Sequence, residues 1–357
     1  MRARAILSEA FRNLLSGAGR PALMIAVYVV LCATIGATEV MAISGIIRDG
    51  DNFRAAGAST FMLSAPAGVD GIRCESLGNS PNVTAAGAMR EARGNRLTAL
   101  PVSGVTLREV TTGFLNAIAP ATGRHPAPRD GVAVPESLAK SLDIRPGEYL
   151  ASSGGPLRIG GLLTYADDGR DQVLDNSILG VVPGDGLFDE CWISLSTYDR
   201  ASLHLLSTSI VAAYDPDGDV TVRQLNSSLG ERFDGATRFA ERPTRHAPYL
   251  AFGATALLAL AGVWSRRLAL ASDRHAGVRR FDQLAMLTTE AVAWGLAGLL
   301  VVLALTRTWL ELTGYSAFTF DQVVRIGAAG FFGVLAGTLV GWSLVREKRL
   351  FAYFKHR

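Results

Sequence analysis

Apolar residues gather along the chain into four long runs, at residues 22–47, 247–265, 283–306 and 326–345. Glu39 alone interrupts the first and Glu290 alone the third, while the second carries no charged group. A helix of about 20 mostly apolar residues crosses the hydrocarbon core of a bilayer, so each run predicts a transmembrane helix. Residues 1–21 precede the first run. They place Leu7, Phe11 and Leu14 on one helical face beside Ile6, Ala10 and Leu15, with Arg4, Glu9 and Arg12 mostly elsewhere, the pattern of an amphipathic helix lying at a membrane surface. Gly17, Gly19 and Pro21 end it. A cleaved signal peptide would carry an apolar region of about 7 to 15 residues and a small-residue cleavage site soon after; the run here is too long.

Residues 48–246 read as a water-soluble domain large enough for its own core. Short apolar or β-branched stretches predict strands at Thr60–Ser64, Arg96–Val102, Gly131–Val134, Leu157–Leu163, Cys191–Leu195 and Ser209–Tyr214. Helices are predicted over Pro135–Leu142, with Pro and Glu in the first turn, and over Val220–Phe233, with Asp219 as N-cap. Strands and helices interleave without a long parallel series, which favours an α+β class.

Charge then orients the chain. The segment between the second and third runs, residues 266–282, holds Arg266, Arg267, Arg274, Arg279 and Arg280 against Asp273 and Asp282, and the tail, 346–357, is basic through Arg346, Lys348, Arg349, Lys355 and Arg357. Short Arg- and Lys-rich loops stay in the cytoplasm. Both termini and the 266–282 elbow are therefore expected inside the cell membrane and residues 48–246 outside. The connection at 307–325 is expected outside too, with Trp309, Tyr315 and Phe318 suited to an interfacial aromatic belt. The fold expected is an α-helical membrane protein with four transmembrane helices and an α+β extracytoplasmic domain inserted between the first and second spans. Bulk composition agrees: 49% hydrophobic, only 19% charged, net charge +3 over 357 residues. The basic excess sits in the elbow and tails, so it speaks of topology and membrane lipids rather than nucleic acid.

Candidate chemistry is sparse. Cys74 and Cys191 are the cysteines outside the spans, Cys32 lying within the first, and such a pair in an oxidising compartment suggests a disulfide, with two free thiols the alternative. Asp215, Asp217 and Asp219 lack the spaced acidic residue that closes a calcium loop and read as a turn. His125, His204 and His246 have no ligand spacing, residues 152–155 (SSGG) read as a loop, and neither a Ser-His-Asp order nor a G-x-S-x-G elbow occurs. No G-x-x-x-x-G-K-[ST] sequence is present, so no P-loop ATP site is expected in this chain. Along the last run Ala329, Gly333, Gly337 and Gly341 recur every fourth residue, a small-xxx-small face for close helix packing, against which stands the ordinary tolerance of membrane helices for glycine. Glu39, near the outer end of its span and within reach of water, and Glu290 are read as structural.

Two stretches carry a family resemblance. In the elbow, Ala271, Arg274 and Gly277, followed by Arg279, Arg280 and Gln283, resemble the cytoplasmic loop of the MacB/FtsX/LolC family of ABC permeases, departing from it at Ala269, Ser272 and Asp273. Residues 131–163 are similar to the MacB-type periplasmic signature through Val134, Glu136, Leu138, Ala139, Leu142, Gly147 and Glu148. The resemblance implies a permease subunit of a type VII ABC system, in which Ala271, Arg274, Gly277, Arg279 and Arg280 belong to a coupling helix that docks on a separate ABC ATPase subunit. ATP and Mg would reside on that ATPase, with no cofactor and no enzymatic activity in this chain. It also implies a second permease chain, as homodimer or paralogous heterodimer, an extracytoplasmic partner protein, and mechanotransmission for export or extraction of a substrate. The alternatives are an FtsX-like regulator of an extracytoplasmic enzyme and a membrane-anchored binding or sensor protein without transport.

Overall fold

The computed structural model describes residues 8–9, 12–13, 20–92, 97, 105–118, 131–214, 219–314 and 317–346. It divides into two compact units, Met1–Ile47 with Gly235–Arg357, and Arg48–Asp234. In chain order the helices and strands are α1 (Pro21–Ala55), β1 (Thr60–Asp70), α2 (Gly71–Ser76), β2 (Val83–Glu91), β3 (Thr106–Val110), α3 (Phe114–Ile118), β4 (Val132–Pro135) and α4 (Glu136–Leu142). They continue as β5 (Tyr149–Leu150), β6 (Leu157–Leu163), β7 (Ser177–Val181), β8 (Leu187–Leu195), α5 (Arg200–Leu206), β9 (Thr221–Gln224), α6 (Gly235–Glu241), α7 (Ala247–Ser265), α8 (Arg267–His275), α9 (Arg280–Thr313) and α10 (Ala317–Leu344).

Among the described residues four helical segments are long and apolar enough to cross a membrane: Pro21–Ala55, Pro243–Ser265, Arg280–Thr313 and Phe318–Leu344. Two differ from the apolar runs in length. Helix α1 continues eight residues beyond Ile47, and the stretch expected as an external loop at 307–325 is mostly helical. Residues 307–313 contain no helix breaker, and Arg307 pairs with Glu311 one turn on at 2.6 Å. Gly314, at φ +69°, ends α9 in the left-handed conformation that glycine adopts without strain. Trp309 packs on the helical core rather than standing in a loop, and Tyr315 lies outside the described residues.

The tightest helix contact in this unit is between α7 and α10. A Cβ on Gly333 would stand 2.3 Å from the Phe252 carbonyl oxygen, one on Gly337 2.0 Å from that of Ala256, and one on Gly341 2.8 Å from Val263 Cβ. At such approach only glycine fits, the physical content of small-residue packing. The seam continues through Gly330, whose carbonyl accepts from Thr255 Oγ1 at 2.7 Å, rather than through Ala329, which is only half-buried.

Among the described residues the second unit forms a nine-stranded mixed sheet in the order β5-β6-β4-β7-β3-β2-β8-β1-β9. The β3/β7 and β4/β6 pairs are parallel and the others antiparallel. Its central strands are buried on both faces. Phe61, Leu63, Cys191 and Ile193 face one cluster with α2 and α5, and Met62 and Trp192 face another with α3. This explains why TFML and CWISL read as unbroken apolar runs instead of alternating. The end of α1 is tied to the sheet within this unit: Arg170 Nη2 donates to the Ala55 carbonyl at 2.9 Å and Asn226 Nδ2 to that of Ala56 at 3.0 Å, satisfying carbonyls a helix terminus leaves open.

Three expectations for this unit change. Val220–Phe233 is not a helix: Thr221–Gln224 pair with β1 as an edge strand, and Asn226 Oδ1 accepts from the Ser228 amide to make a turn. Sheet pairing by Thr and Val outweighs the helical spacing of the leucines there, and Asp219 caps no helix. Ser209–Tyr214 is not a strand either. Ser207–Ser209 form a helical turn in which the Ser209 hydroxyl donates to the Leu206 carbonyl, and Ile210 makes a single bridge to Val69. Arg96–Val102 falls outside the described residues except Leu97, which bridges to Ser152.

Candidate functional site: the elbow between two long helices

The elbow begins where α7 stops. Arg266 leaves helical geometry, α8 runs over nine residues, and Ala276 and Gly277 turn the chain before Arg279, in extended geometry, opens α9. Gly277 sits at φ +95°, a conformation other L residues rarely adopt, and nothing lies within 4 Å of the position a Cβ would take. Its glycine is required by the turn.

The inner face of α8 is apolar. Leu270 and Ala271 are buried with Val263, Leu287 and Val345. Arg274 also points inward: it is 8% exposed, its Nε donates to Gln283 Oε1 at 2.6 Å, Nη1 to the Val345 carbonyl, and Nη2 to the Trp342 carbonyl at 3.2 Å. Gln283, itself buried, returns a hydrogen bond from Nε2 to the Leu270 carbonyl at 2.8 Å. Within the chain Arg274, which the resemblance places in the docking helix, is buried among these three acceptors.

The start of α9 differs. Arg279 and Arg280 are exposed, with the Arg280 guanidinium 5.7 Å from the Trp342 ring, and Phe281 in the first turn of α9 is 79% exposed. Phe281 was not singled out by spacing; the aromatic ring set directly after two arginines in RRFDQ was the available signal. The Asp273 carboxyl is held above its ordinary value by partial burial, with the Arg266 charge opposing and the Glu9 charge adding to the rise.

About three turns into α9, Glu290 is buried and bonded on both oxygens, to Arg266 Nη1 at 2.6 Å and to Asn13 Nδ2 at 2.7 Å. A cavity of about 40 Å³ adjoins it, lined by Asn13, Arg266, Glu290, Trp294 and Thr338 among others. That is room for a few water molecules. Glu39, expected to reach water, is instead buried and paired with Arg242. The reason is α6 and the residues after it, which bring Arg242 back onto the first long helix; its Nη1 also donates to the Phe239 carbonyl.

In the sheet unit Cys74 and Cys191 form a disulfide that ties α2 to β8 across Cα atoms 5.8 Å apart. Arg170, buried beneath Tyr165, clasps Asp168 through two nitrogens at 2.8 and 2.7 Å. Burial works against ionisation of Asp168, but these hydrogen bonds and the Arg170 charge outweigh it and hold the carboxyl below the usual range. Burial also raises the Tyr165 phenol well above its ordinary value. Among the described residues no group of three or more His, Cys, Asp and Glu side chains could hold a metal ion; Asp215, Asp217 and His125 lie outside those residues. No protein-family model and no curated protein matches this chain.

Proposed function

We propose that this chain is the permease subunit of a MacB/FtsX/LolC-like, type VII ABC system, coupling ATP hydrolysis on a separate ATPase to movement of an extracytoplasmic domain for export or extraction of a substrate. The observation that carries the reading is the elbow. A short amphipathic helix, locked on its inner face and followed at the start of α9 by Arg279, Arg280 and a bare Phe281, joins two helices of membrane-spanning length. Arginine and exposed aromatic residues are the side chains that anchor protein interfaces, and a basic elbow belongs on the cytoplasmic side, where an ATPase is found. The Cys74–Cys191 disulfide supports placing the sheet unit in an oxidising compartment, outside the membrane. On this reading both termini are cytoplasmic, the four long helices are the spans, two permease chains pair over two ATPase subunits, and ATP and Mg are held by the partner. The size of the sheet unit favours a MacB- or LolC-like role over an FtsX-like regulator. Isolation of the tagged full-length chain from its native membrane, followed by identification of bound proteins, tests this directly: a P-loop ATPase is the expected companion.

A further inference from the structure

Arg274 brings three separate segments to one guanidinium. It stands near the end of α8, receives Gln283 from the first turn of α9, and reaches the carbonyls of Trp342 and Val345 at the end of α10. Those carbonyls are where a helix terminus lacks internal donors and where its dipole is negative, so a buried cation is stabilised there. The arrangement needs the planar fork of arginine; a lysine ammonium could not span acceptors from two directions in the same way. Gln283 is 1% exposed and fixed at both ends of its amide, so it belongs to the same cluster and cannot touch a partner protein. Because α7 and α10 are themselves joined along the Gly333, Gly337 and Gly341 seam, the elbow follows α7 by covalent connection and is held to α10 by Arg274.

We propose that Arg274, oriented by Gln283, is a positioning residue that fastens the elbow to the end of the last long helix, so that displacement of the elbow moves α7 and α10 together instead of swinging α8 alone. This deepens the permease reading by naming the helix that receives motion from the elbow, and it removes Arg274 from the docking face, leaving that to Arg279, Arg280 and Phe281. In the alternative, in which Arg274 is an ordinary docking contact, Gln283 would be irrelevant to it.

The test is hydrogen exchange on the full-length chain in nanodiscs of phosphatidylethanolamine and phosphatidylglycerol, without any ATPase, comparing Arg274→Gln, Gln283→Ala and the double variant. Each single variant is expected to speed exchange of amides 267–275 by about tenfold or more, the scale set by loss of a hydrogen bond to a charged group. The double variant should match the larger single effect, because both remove one cluster. Exchange at 251–263 and 326–341 should stay unchanged. Unchanged exchange in the elbow, additive effects in the double variant, or loosening spread equally over α7 and α10 would each overturn the proposal. Should Arg274→Gln fail to accumulate, Gln283→Ala decides alone: local loosening supports the tie, and no change or general loosening refutes it. Absence of any ATPase partner would overturn the permease reading while leaving this measurement valid.

Discussion

Glu39 and Arg242, 203 residues apart in sequence, form a buried ion pair at 2.6 Å, with Arg242 Nε and Nη2 both donating to Glu39 Oε1. The side chains are 2% and 11% exposed, so neither charge is screened by water. Removing one member of such a pair costs roughly 3 to 5 kcal/mol because the other charge is left buried alone. Glu39→Ala and Arg242→Ala should therefore each lower the thermal midpoint of the purified full-length chain sharply, and the double variant should be no worse than either single one. Additive losses in the three melts would show that the two residues act separately.

The α7/α10 seam makes a second, steric prediction. A Cβ at Gly337 would overlap the Ala256 backbone, which cannot retreat as a flexible side chain could. Gly337→Leu should destabilise the chain by more than the ~1–3 kcal/mol typical of overpacking, seen as loss of the monodisperse species in size-exclusion chromatography. Ala329→Leu, at a half-buried position off the seam, should be tolerated. Equal tolerance of both would reduce the recurring glycines to ordinary membrane-helix composition.

The positions of those two residues show what the chain's pattern makes legible. The run 247–265 coincides with α7 and Leu157–Leu163 with β6, because length and local apolarity decide both. Strand β2 was not legible: Ala85, Ala86 and Ala88 give no β signal, and Gly87 is required because α3 crosses it, a Cβ there standing 2.2 Å from the Phe114 amide nitrogen. Thr221–Gln224 became a strand only because β1 offers an edge. In the elbow, the family resemblance marked Ala271, Arg274, Gly277, Arg279 and Arg280 as a set, but not their direction. Arg274 turns inward because its acceptors, Gln283, Trp342 and Val345, lie 9 to 71 residues away, a relationship invisible to any local window.

Acid should find the sheet unit through Asp168. Its folded pKa lies below the unfolded one, so its contribution is complete above about pH 4 and is lost as pH falls through the lower folded value. Urea unfolding of the full-length chain followed through Trp192 should weaken over that acidic window, and Asp168→Asn should flatten the dependence. A pH dependence identical in the variant would assign the acid sensitivity to other carboxylates.

Topology is testable one residue at a time. With the native cysteines replaced, a cysteine at the exposed Ser228 should be labelled by a membrane-impermeant maleimide on intact cells, and one at the exposed Ser272 should be labelled only after permeabilisation. The reverse pattern would place the sheet unit in the cytoplasm and contradict the positive-inside assignment.

The central claim is that the elbow docks on an ATPase, and the measurement closest to it is affinity purification of the full-length chain from its native membrane as wild type and as Phe281→Asp. The account predicts that a P-loop ATPase accompanies the wild-type chain in near-stoichiometric amount, with membrane-dependent ATP hydrolysis, and that Phe281→Asp inserts normally but loses it. A wild-type chain that purifies without any nucleotide-hydrolysing partner, or a Phe281→Asp variant that retains the ATPase undiminished, would contradict it.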